Sequence, residues 1–186
     1  MRKICILILG IFLSYFSDAA GLNILNISAT LQRKLISSYF SQDGIEYSIG
    51  RIPMASCDFS THTYSYDDYE EDFQLHNFSL TTEDLKLKIP IMKSAMKMSK
   101  RNIRFFGSPW AAPSWMKTNG KMEGVGQLKG VAGDKYHKAW ALYFVKFVKA
   151  YEENEVKIWG LTVENEPSEG YWKGYEVLKG LLSIFS

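Results

Sequence analysis

Apolar positions along this chain alternate between two periods. Three short runs are almost continuously apolar or β-branched, and each closes on a turn signal: Ile45 to Ile52 before Pro53, Ile103 to Phe106 before Gly107-Ser108-Pro109, and Ile158 to Val163 before Asn165. Such runs predict buried strands. Between them the spacing turns helical. Tyr136, Trp140, Tyr143, Phe144, Phe147, Val148 and Tyr151 recur at three- and four-residue steps, a wide apolar stripe on a helix from about Asp134 to Glu153. Pro90 suits the first turn of a second helix, with Ile91, Met92, Ala95, Met96 and Met98 on its apolar side. Leu31, Leu35 and Tyr39 mark a third. Strands alternating with helices predict an α/β fold with a parallel sheet, because a parallel pair needs a crossover and a helix is the usual one.

The segments after the strands are polar and aromatic where the strands are apolar: Ala55-Ser56-Cys57-Asp58-Phe59, Ser108-Pro109-Trp110 through Trp115, and Glu164-Asn165-Glu166-Pro167. In parallel α/β folds ligands bind at the C-terminal strand ends, so these loops are expected to share one face. A carbohydrate site needs groups that hydrogen-bond hydroxyls and an aromatic surface for the sugar ring. Asp58, Asn165 and Trp110 are candidates, with Glu166 as a general acid. Plainer readings stand beside these. A carboxylate after a strand also serves as a helix cap or turn anchor, and Trp110 and Trp115 fit core positions around a proline turn. Cys57 reads as a small buried residue, with no histidine near it in sequence.

Composition narrows the class. The 186 residues are 46% hydrophobic and 15% aromatic with net charge +2, a globular composition whose interleaved charges make no basic stripe for nucleic acid. Cys5 and Cys57 are too few for a disulfide scaffold, and His62, His76 and His137 make no metal-ligand spacing with them. Arg2-Lys3, the apolar run Ile4 to Leu13 and the small residues up to Ala20 have the layout of a secretory signal, with cleavage after Ala19 or Ala20. A first buried strand or helix is the competing reading. Sequons at Asn26 and Asn77 agree with the secretory route.

Longer strings go further. Arg51-Ile52-Pro53-Met54-Ala55-Ser56-Cys57-Asp58-Phe59-Ser60, Asp72-Phe73-Gln74-Leu75-His76-Asn77-Phe78-Ser79-Leu80, Ser108-Pro109-Trp110, Trp115-Met116-Lys117-Thr118-Asn119-Gly120 and Glu164-Asn165-Glu166-Pro167-Ser168 closely resemble the lysosomal acid glucosylceramidases of glycoside hydrolase family 30. The resemblance runs from about Ser17 to Tyr175. It implies a partial TIM (β/α)8 barrel, about strands two to four with their helices. It also implies an organisation of 1–16 as a signal-like segment, 17–175 as barrel and 176–186 as a divergent tail.

By the same resemblance Glu166 is the acid/base, Asn165 contacts the sugar 2-hydroxyl, Asp58 and Trp110 bind glucose, and Tyr175 is a rim aromatic. The implied reaction is retaining hydrolysis of the β-glucosidic bond of glucosylceramide at lysosomal lipid surfaces, with a saposin-type activator and no metal or organic cofactor. The family's nucleophile is a second glutamate on the seventh barrel strand, and no other glutamate here carries its motif. The chain by itself is therefore expected to be inactive. The alternative is a non-catalytic glucolipid-binding or interaction protein of the same descent.

Overall fold

A computed structural model describes residues 15–166. The leading apolar run with Cys5, the residues Pro167 and Tyr175, and the tail 176–186 lie outside the described residues.

Two helices come first, α1 (Asp18–Leu25) and α2 (Ala29–Phe40), each started by a serine whose hydroxyl accepts a backbone N–H of the first turn. Strand β1 (Ile49–Met54) follows, then a loop, a π-helical turn at Glu83–Lys88 and helix α3 (Ile89–Met98) with Pro90 in its first turn. Strand β2 (Arg104–Pro109) leads through a 3-10 turn at Ser114–Met116 to α4 (Lys135–Glu153), and β3 (Ile158–Leu161) closes the order. Asp134 caps α4 by accepting from Tyr136 N and His137 N at 2.9 and 3.0 Å. These contacts, with the His137 N–H leading, hold its carboxyl at about 2.

The sheet is parallel in the order β1-β2-β3, so α3 and α4 serve as its crossovers. Ile49 pairs with Arg104 and Met54 with Pro109, while a bulge between Phe105 and Phe106 shifts the register against β3. This is the expected partial α/β barrel, an open three-stranded sheet. On the outer side of β1, Tyr15 bridges Arg51 in parallel and Phe16 N donates to Arg51 O at 2.8 Å. Tyr15 and Phe16, within the segment read as signal-like, are buried against the sheet, and Ala19 and Ala20 lie inside α1.

Details differ from the periodicity for local reasons. Residues Ile45 to Tyr47 are not strand: Ile45 N and Tyr47 N bond back to Ser38 O and Tyr39 O, and Glu46 takes φ 63°. Their donors are already used in closing α2. Strands β1 and β2 run through Pro53 and Pro109, because a proline at the end of a strand forfeits at most one ladder bond. Leu31 (53% exposed) and Met96 (39% exposed) fall off the apolar faces assigned to them, and Ile36, Phe40 and Ile89 complete those faces instead. Phe147 and Tyr151 of α4 are wholly buried against the sheet. Gly107 permits that approach, since a Cβ there would lie 2.5 Å from the Phe147 ring.

Candidate active site

The register brings the three strand tips together. Pro109 pairs with Met54 on one side, and on the other its carbonyl accepts Asn165 N at 2.9 Å. Asp58, Trp110, Asn165 and Glu166 therefore leave the sheet from adjacent positions at one end. Beyond Asn165 the chain turns sharply: Glu166 is exposed and holds φ 48°. A left-handed glutamate costs on the order of 1 kcal/mol, the kind of strain that collects at functional sites.

Arg51 organises this end. Its Nη2 donates to Ser108 Oγ at 2.7 Å and to Asn165 Oδ1 at 2.6 Å. Its guanidinium lies 4.5 Å from the Trp110 ring centre and 5.7 Å from that of Tyr15. By occupying Oδ1 it leaves the Asn165 amide N–H groups to face a ligand as donors. Ser108, buried, shares a 2.5 Å hydrogen bond with Thr162 Oγ1, which locks the tips of β2 and β3. Arginine within an otherwise apolar strand was the available sequence signal for this role, since a charge is placed there only with partners.

Trp110 is 3% exposed and packs with Tyr15 and Cys57 in a small cluster apart from the main core. Asp58 is exposed as a residue, yet desolvation raises its carboxyl above the ordinary aspartate range. The Trp110 indole opposes that rise, the Glu166 charge adds to it and Arg51 offsets it. The indole Nε1 is buried and has no partner within hydrogen-bond geometry, although it lies near enough to act on Asp58. A hydroxyl both donates and accepts. A sugar hydroxyl can therefore give its proton to Asp58 and accept from the indole.

The other aromatic and acid of these loops do structural work. Trp115 donates its indole N–H to Asp67 O at 3.0 Å from within the core. Glu164 acts electrostatically on Lys117, whose buried ammonium donates to Met122 O at 2.9 Å and is lowered chiefly by desolvation. Cys57 is buried and unbridged, with burial raising its thiol. Among the described residues no group of three or more His, Cys, Asp or Glu is placed to hold a metal ion, and no helix is long and apolar enough to cross a membrane. Asn26 and Asn77 are exposed, the latter bonded to Asp72 Oδ2 at 3.0 Å through its amide.

Parallel βα units with carboxylates, an asparagine and a tryptophan at one end of the sheet have the layout of a barrel glycosidase. Residues 9–183 match the glycosyl hydrolase family 30 TIM-barrel domain, and the chain belongs to that family of glycosidases. It is 55% identical over 159 residues to the lysosomal acid glucosylceramidase of Mus musculus, covering 86% of this chain and 31% of that protein. A putative glucosylceramidase 4 of Caenorhabditis elegans is 51% identical over 161 residues, again 31% of its length. The crystal structure of SrfJ from Salmonella typhimurium superposes with a TM-score of 0.77 at 27% identity, over 91% of this chain and 36% of that one. The chain thus spans less than a third of the length of these two curated relatives.

Proposed function

We propose that this chain supplies the acid/base side of a glucosylceramidase site, in which Glu166 protonates the leaving oxygen of a β-glucoside and then activates water. Retaining hydrolysis sets an acid/base and a nucleophile about 5 Å apart across the scissile bond. The observation that carries this reading is the shared end of the sheet: Asn165 pinned by Arg51 and Pro109 O, with Glu166 beyond it and close enough to act on Asp58. Asp58 and Trp110 hold the glucose hydroxyls, Asn165 donates to the 2-hydroxyl, and Tyr175 is assigned to the rim.

Glucosylceramide is the substrate we assign, on 55% identity to a glucosylceramidase. Hydrolysis follows by retention, at a lipid surface with a saposin-type activator, and needs no metal. The same relative supports a secretory route to the lysosome, with Asn26 and Asn77 as glycan acceptors. Among the described residues the three strand tips contribute Asp58, Trp110, Asn165 and Glu166. The resemblance to the family assigns the nucleophile to a second glutamate on the seventh barrel strand, so on this reading the acid/base side binds sugar without turning it over by itself.

Two measurements test this. Calorimetric titration of a soluble preparation with deoxynojirimycin, a glucose-configured amine, should show binding that Asp58→Asn weakens by about tenfold or more, as expected for a lost hydrogen bond to a charged group, and that Trp110→Ala weakens as well. A fluorogenic β-glucoside should not be hydrolysed. Absence of any sugar binding overturns the site, and Glu166-dependent hydrolysis overturns the division of labour.

A further inference from the structure

Beneath the sugar face lies an ion pair that the proposed chemistry does not use. Asp84 and Lys88, at i and i+4 on the π-helical turn, are both fully buried at the side chain, with Oδ1 and Nζ 3.2 Å apart. Nζ also donates to Pro53 O at 3.3 Å and Ala55 O at 3.2 Å, so its three protons have three acceptors. Asp84 Oδ1 accepts from the hydroxyls of Tyr66 and Tyr151, and Oδ2 from Thr81 Oγ1 at 3.2 Å. Burial holds both phenols well above their ordinary titration range, so they remain donors.

A buried ion pair is a poor stabiliser compared with well-packed apolar residues of similar size. The location of this one is informative. The carbonyls it grips end β1, and Ala55 there takes φ 66°, a left-handed turn that a residue with a Cβ adopts only when held. From Ala55 the chain closes at once: Ser56 N and Tyr64 O bond at 3.2 Å, and Ser56 Oγ meets Tyr64 N at 3.2 Å. Within that closure Cys57 N donates to Ser60 Oγ at 3.0 Å, and Ser60 Oγ donates to the buried Asp18 at 2.7 Å. Asp58 occupies the turn between them. One end of its loop hangs from Lys88, the other from the head of α1.

We infer that the Lys88–Asp84 pair is a positioning device: it sets the left-handed turn after β1 and through it places Asp58 beside Trp110 and Glu166. This rests on the reading of Asp58 as a sugar-binding group. Lys88 and Asp84 touch no substrate themselves. The π-helical turn, whose Ile89 N–H reaches back to Asp84 O, aims both side chains at the strand tip, and π-turns recur at functional sites.

The test separates placement from stability. Asp84→Asn/Lys88→Met removes both charges and leaves no uncompensated ion, and Tyr151→Phe removes one donor to Asp84 at nearly constant volume. In each, the Asp58 carboxyl is titrated by carbon NMR, deoxynojirimycin affinity is measured by calorimetry, and folding is checked by circular dichroism. We expect folded variants in which Asp58 titrates closer to ordinary aspartate and affinity falls, by about tenfold or more in the double variant, the scale on which small displacements act. If the folded variants keep the parent Asp58 titration and affinity, the pair is only structural and the inference is overturned. If the parent chain binds no sugar, the functional reading fails, and the Asp58 titration alone decides the positioning.

Discussion

Asp67 sits at 2% exposure with one carboxyl oxygen out of reach of any hydrogen-bond partner. Burial, reinforced by Asp72 and Asp68 and opposed by the Tyr69 N–H, raises its carboxyl from 3.8 to about 6. The folded state therefore binds this proton more tightly than the unfolded chain does. Its stabilising effect is complete below about pH 4 and is lost as pH rises through about 6. Asp67→Asn should raise the melting temperature at pH 7 and leave it unchanged near pH 4, a difference that thermal unfolding at the two values reads directly. At this scale the sequence was partly legible. Asp58, Trp110, Asn165 and Glu166 stand out because polar and aromatic groups follow apolar runs. Arg51 shows only as a charge inside an apolar run, with nothing to name its partner 114 positions away, and Lys88 and Asp84 read as an ordinary i, i+4 pair whose contacts to Pro53 O and Tyr151 lie 35 and 67 positions away.

At the scale of elements, close packing of α4 on β2 depends on Gly107. Its Cβ position is occupied by the Phe147 ring, with Leu161 also within 3.0 Å. Gly107→Ala should destabilise the chain by about 1–3 kcal/mol through overpacking, measured as a lower urea midpoint at unchanged slope. The helix was legible from its stripe, since Trp140, Tyr143, Phe147 and Tyr151 are buried, joined only by Ala139. The strand limits were less so. Pro53 and Pro109 read as stops, but both lie in strands, because parallel pairing tolerates a missing N–H at a strand end. Ile45 reads as strand, but its N–H is bound to Ser38 O. The π-helical turn left no periodic mark, since six residues are too few to show one.

For the whole molecule, β3 is paired to β2 alone among the described residues, and its exposed side chains are apolar: Trp159 is 61% exposed and Leu161 45%, with Val163 just beyond the strand at 46%. An unpaired, apolar strand edge is a template for association. The isolated chain should elute as oligomers in gel filtration, and Trp159→Lys with Leu161→Lys should move it toward the monomer; monomeric parent protein would contradict this. The fold class follows from local information, because alternating strand and helix periods admit a parallel sheet and little else. The strings that resemble family 30 are local as well, and the family match confirms them. Tertiary structure alone decided which residues meet: Tyr15 beside Arg51, Arg51 on Asn165, and Lys88 under Ala55. Periodicity specifies which face of an element is buried, whereas the pairing of distant tips depends on register, a bulge between Phe105 and Phe106 and two left-handed turns, and none of these has a period to read.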